Sequence, residues 1–168
     1  YVIMAGFIDL SVGGIISLVA VVTVTVIDKI GQGPAILVGI SIGLICGLLN
    51  SFLILSSGAL TQAEALFLTY GMSLVFSAIA LIYTQGVTQF LTYSKTSISL
   101  FDAINSGNVG VVSISFIIFL VCLAILYIIQ KRTYLGRSIV LVGGNKVAAS
   151  LAGISIDKSI IFIYAVSG

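Results

Sequence analysis

Asp9 is the one carboxylate set in a mostly apolar context, in the run Phe7-Ile-Asp9-Leu-Ser11. An ionisable group placed deep in an apolar medium is expensive and usually functional, for instance as the carrier of a coupling ion. A structural role is the simpler reading: Asp9 or Ser11 can accept the free N–H groups of a helix that begins near Val12. Thr69, Ser73 and Ser77 recur every four residues, which places three hydroxyls on one face of a helix. Hydroxyls on such a face either bond a neighbouring helix or line a wet path.

Other chemistries have little to stand on. There is no histidine and no GxSxG run, so a serine nucleophile would lack its base. Asp9 and Asp28 fall at opposite ends of one predicted helix and cannot act as a carboxylate pair. No enzyme is expected. No GxxxxGK[ST] run is present, and Gly143-Gly-Asn-Lys146 is too short to imitate one, so any ATP-driven step would need another polypeptide. Cys46 and Cys122 lie in apolar runs without CxxC spacing and read as small packing residues. No cofactor, metal or nucleic acid is expected.

The elements that must position these residues follow from composition. Apolar residues make up 60% of the chain and charged residues 7%, with a mean hydropathy of +1.30. Soluble domains carry about 25% charged residues. A chain of 168 residues has too little interior to hide this much apolar surface, so its solvent is lipid. Only helices and closed barrels satisfy every backbone group there. Apolar runs at 12–27, 35–55, 65–84 and 111–129 are long enough for helices, whereas barrel strands would alternate over about 10 residues. Pro34 suits the first turn of the second helix, where its missing N–H is not needed. Residues 56–64 read as a loop and 86–109 as a long polar connection. The runs at 1–8 and 160–166 are too short to span, so a further helix is expected beyond each end. The expected fold is all-α, a polytopic transmembrane bundle with about four complete spans and a partial span at each end.

Charge sets the orientation. Residues 131–158 carry Lys131, Arg132, Arg137, Lys146 and Lys158, against Lys29 and Lys95 on the opposite side. Positive charge marks the cytoplasmic side, so 131–158 and 56–64 are expected inside, with 28–34 and 86–110 outside. Gly39, Gly43 and Gly47 form a smooth stripe at helical spacing. Lipid gives helices no hydrophobic drive to pair, and small residues let their backbones approach. Within 131–158, Asn145 is a good N-cap, residues 146–152 are alanine-rich, and Gly153 can close the turn in the left-handed region. A short helix in a basic cytoplasmic loop results, suited to docking on a soluble partner.

The same loop carries a resemblance. Lys131-Arg-Thr-Tyr-Leu-Gly136-Arg137, then Gly143-Gly144-Asn145, Ala149, Leu151 and Gly153-Ile154 resemble the cytoplasmic loop of the ribose-type permeases, the simple-sugar branch of bacterial ATP-binding-cassette importers. Two shorter patterns, Ile8-Asp-Leu-Ser-Val-Gly13 and Tyr83-Thr-Gln-Gly86, match the family in order and approximate spacing. Together they cover nearly the whole chain as one partial permease domain in the bacterial cytoplasmic membrane. The resemblance implies that Gly136, Arg137, Gly143, Gly144, Asn145, Ala149, Leu151 and Gly153 belong to a coupling loop on the ATPase subunit. It implies an extracellular or periplasmic sugar-binding protein and a second permease subunit as further partners beside the bilayer. Asp9, Thr69, Ser73 and Ser77 become candidates for the path, because a sugar wants hydroxyls and amides rather than full charges. Two departures lie close to that path. The stretch Leu60-Thr-Gln-Ala-Glu-Ala-Leu66 lacks the family's proline, and Ser77 stands near a position where the family often has arginine. An ion-coupled secondary transporter is the main rival, and a branched-chain amino acid permease is the alternative within the importer class.

Overall fold

The structure, a computed structural model, describes residues 1–91, 94 and 97–168. Lys95, counted above among the outer charges, lies outside them. A 3-10 turn, Ile3–Ala5, opens the chain, and a non-helical segment follows to Ser11. Then come α1 (Val12–Ile30), α2 (Gln32–Ser57), α3 (Gln62–Thr84) and α4 (Ser99–Ser106). A hairpin of two two-residue strands, Asn108–Val109 and Val112–Ser113, leads into α5 (Ile114–Arg132). The chain ends with α6 (Tyr134–Gly144), α7 (Lys146–Leu151) and α8 (Ile156–Ser167). Among the described residues, α1, α2, α3 and α5 are long and apolar enough to cross a membrane. They coincide with the four expected spans, and the fold is an all-α polytopic bundle.

Local chemistry sets the boundaries. α2 begins at Gln32, so Pro34 sits in its first turn. α3 starts three residues before the expected 65. Thr61 Oγ1 accepts the Glu64 N–H at 3.3 Å and the Glu64 carboxylate accepts the Thr61 N–H at 3.0 Å. This reciprocal capping box was legible in Thr-x-x-Glu. The basic segment holds two helices where one was expected. Thr133 Oγ1 accepts the Gly136 N–H at 3.2 Å and so caps α6, which turns directly into α7.

Packing divides the molecule. α1 lies against α2 and α3, and α2 also packs against α8. Ile15, Leu18, Cys46, Phe76 and Ala80 fill the α1–α2–α3 contact. Phe7, Ile54, Ala65, Ile139, Ile160 and Tyr164 fill a second cluster near the 3-10 turn. α5 meets α4 and α6, and none of its residues is buried. Cys122 therefore stands exposed on α5, unlike buried Cys46, and does not pack within this chain.

Candidate functional site

The basic segment folds into a corner. Asn145 Oδ1 accepts the Ala148 N–H at 2.9 Å and caps α7. At the other end the Ile154 N–H donates to Ala149 O at 3.0 Å, and Gly153 takes φ +78°, a left-handed conformation that costs other residues more. Ala149 is not a surface residue: it packs with Val142 and Ile154 inside the corner. Gly136 touches the Gln130 backbone, and Gly143 lies so close to Met4 O and the Ala5 Cα that no side chain would fit. Gly144 faces open space, and Arg137 is exposed. On α7 the apolar side chains offered outward are Val147 and Leu151, one turn apart and 70% and 85% exposed. Lys146 points the other way. Its Nζ donates to Leu60 O and sits 4.0 Å from the centre of the Phe7 ring. Burial pulls its ammonium below the usual lysine range, opposed by the carboxylate of Glu64.

A second set of polar groups surrounds the start of α1. Asp9 Oδ1 accepts the Ser11 N–H at 2.9 Å and the Ser11 hydroxyl at 2.6 Å, while Oδ2 accepts the Ser167 hydroxyl at 2.7 Å. Ser11 Oγ in turn accepts from Asn50 Nδ2 at 2.7 Å. Thr69 Oγ1 accepts the Leu10 N–H at 3.1 Å. The expected helix cap is absent. Ser11 makes no side-chain cap bond, because its hydroxyl is committed to Asp9 and Asn50. Ser167 lies on the last described turn of α8, so the network links the start of α1 to α8. Non-helical backbone shielded from water is stable only when its N–H groups find partners. Asp9 and Thr69 supply them for Ser11 and Leu10.

The two stripes serve different contacts. Thr69 is buried beside Leu10, the Ser73 backbone abuts Gly14, and half-buried Ser77 lines a cleft of about 360 Å³ with Ser17, Thr84 and Gln89. Asp9 opens on another cleft of about 360 Å³, with Val12, Leu126, Ile163 and Ser167. The structure therefore does not gather Asp9 and Ser77 into one cavity. Gly39 lies under Thr23 of α1, where an added Cβ would fall 2.6 Å from Oγ1. Gly43 and Gly47 lie under α8, against Gly168 O and against Tyr164 O and the Ala165 Cα.

The comparisons meet this geometry over its whole length. The model of one family, described as "Branched-chain amino acid transport system / permease component", matches residues 1–168. The chain belongs to that permease family. Among its relatives are the autoinducer 2 import system permease proteins LsrD of Salmonella typhimurium and Photorhabdus temperata. Each is 29% identical over 171 residues, covering 99% of this chain and 50% of the relative. LsrD of Escherichia coli O9:H4 is 29% identical over 170 residues with the same coverage. The permease chain thus spans about half the length of the curated relatives it matches. No solved structure matches it.

Three participants escaped the sequence reading of this permease. Asn50 looked like one polar residue in a span, Ser167 like the end of an apolar run, and Lys146 like one basic charge among five. Only the tertiary contacts reveal their partners. One consequence can be checked directly. Asn145→Ala should destabilise α7 by about 1 kcal/mol through loss of its cap. Hydrogen exchange should then quicken in α7, at the Ala148 amide first, and stay unchanged in α1.

Proposed function

We propose that this permease chain is part of the transmembrane subunit of an ATP-binding-cassette importer for a simple sugar in the bacterial cytoplasmic membrane. The whole-chain family match supports the permease part of the reading, and the relatives named for autoinducer 2 import support the sugar part. Residues 131–158 face the cytoplasm, where α6 and α7 form the coupling loop. A separate ATPase subunit docks on the exposed Val147 and Leu151, and a second permease subunit completes the pore. A binding protein delivers solute from outside. The hydroxyls of Thr69, Ser73 and Ser77 and the Asp9–Ser11–Asn50 network supply groups suited to a polyhydroxylated solute. Glycines 39, 43 and 47 hold the helices close.

The test is uptake by the full-length protein in vesicles, together with its ATPase and binding protein. Labelled ribose and autoinducer 2, the solute named for the relatives, are compared with leucine. Uptake of ribose or autoinducer 2 that stops without ATP is the expected result. Uptake driven by an ion gradient in the absence of ATP would replace this reading with a secondary transporter. ATP-driven uptake of leucine alone would move it to the amino acid branch.

A further inference from the structure

We infer that Lys146 is a positioning residue that fastens α7 to the non-helical segment at Phe7 and to the loop at Leu60, so that movement of α7 is delivered to the half-buried Asp9 network. The inference rests on the coupling-loop reading and adds the route inward from it. Lys146 is the first residue of α7, and the Asn145 cap fixes where its backbone starts. Its side chain turns away from the exposed Val147 and Leu151 face and reaches two elements distant in sequence, Phe7 and Leu60. Phe7 is itself buried, edge-on to Tyr164 of α8 with ring centres 6.4 Å apart. Two residues later Asp9 holds Ser11, just before α1, and Ser167 of α8, and Ser11 holds Asn50 of α2. Leu10, between them, is held by Thr69 of α3. A pull on Phe7 therefore acts on a short stretch of backbone bonded to α2, α3 and α8 and running directly into α1. The stretch lacks a helix of its own, so the side-chain bonds that fix it can exchange partners without breaking a helical ladder.

The contact at Gly143 completes the geometry. α6 presses on the 3-10 turn at Met4 and Ala5, so the turn is fixed from one side while Lys146 grips the chain just beyond Gly6. A guanidinium can make both the ring contact and the carbonyl bond, whereas a thioether keeps only the apolar stem. Coupling of this kind is established by measuring it rather than by tracing contacts.

The experiment compares wild type, Lys146→Met and Lys146→Arg in full-length protein in nanodiscs with its ATPase, and in vesicles with its ATPase and binding protein. Lys146→Met should leave the ATPase co-purifying. It should quicken amide exchange at residues 7–11 about tenfold and lower ATP-driven uptake about tenfold, as loss of a charge-assisted bond and a ring contact implies. Lys146→Arg should restore both to within about threefold, because both contacts re-form. Unchanged exchange at 7–11 in Lys146→Met would overturn the inference. So would faster exchange with undiminished uptake, loss of the ATPase, or failure of arginine to rescue. Wild-type uptake that ignores ATP would instead strike the function proposed above, and it is read in the same vesicles.

Discussion

Gly47→Leu should drive α8 off α2 and leave a permease that neither holds its fold nor transports. Gly47 lies against Tyr164 O, with the Ala165 Cα 3.2 Å from where a Cβ would stand. The obstacle is backbone, which cannot rotate aside as a side chain can. Forcing extra methylenes into a close contact costs about 1–3 kcal/mol and occasionally more, and a backbone clash belongs at the upper end. The same movement would pull Ser167 from Asp9 and leave a half-buried carboxylate oxygen without its donor. Gly43→Leu, against Gly168 O, should act in the same direction. Gly71→Leu is the control: it sits in a span on α3 with nothing within 4 Å of its would-be Cβ. Thermal unfolding in detergent should show a large drop for Gly47→Leu and almost none for Gly71→Leu. Equal midpoints would mean that α2 and α8 do not approach this closely.

Leu151→Glu should release the ATPase while the permease stays folded. Leu151 is 85% exposed and makes no core contact, and Val147 beside it is 70% exposed. A carboxylate there costs the isolated permease little. At a docked surface it would bury a charge against an apolar partner. Loss of a central anchor of this sort costs about 2 kcal/mol, roughly 30-fold in Kd. Co-purification and ATP-driven uptake should both fall, with the unfolding midpoint unchanged. Ala149→Glu is the less informative change, because Ala149 packs against Val142 and Ile154 and its loss would unmake the corner itself. ATPase binding undiminished in Leu151→Glu would place the docking surface elsewhere.

The sequence made the spans legible because lipid imposes a composition rule that needs no partner: about 20 apolar residues make a helix wherever they occur. The α7 cap was legible for the same reason. Asn145, the alanines and Gly153 act within one turn of themselves. α6 was less legible, since residues 134–144 are too short and too mixed to read as a span, and Thr133 gives only a weak cap signal. The Asp9 network was half legible. A carboxylate between apolar neighbours announced itself, but Ser167, which it bonds, and Asn50, which bonds Ser11, lie 158 and 41 residues from it. No periodicity links residues that meet only through tertiary packing. Asp9 or Ser11 was read as a cap because capping is local, whereas Asp9 also reaches Ser167 of α8, and Asn50 of α2 through Ser11.

The absence of buried residues along α5 has a consequence for how tightly its sequence is specified. In α2 a single added methyl at Gly47 meets backbone, so the position admits one residue. Along α5, within this chain, nearly any exchange among leucine, isoleucine, valine and phenylalanine keeps the span equally soluble in lipid. Shape writes the code of α2 letter by letter, while α5 is written in oiliness alone. Drift among related permeases should therefore run slowest where α2 meets α8.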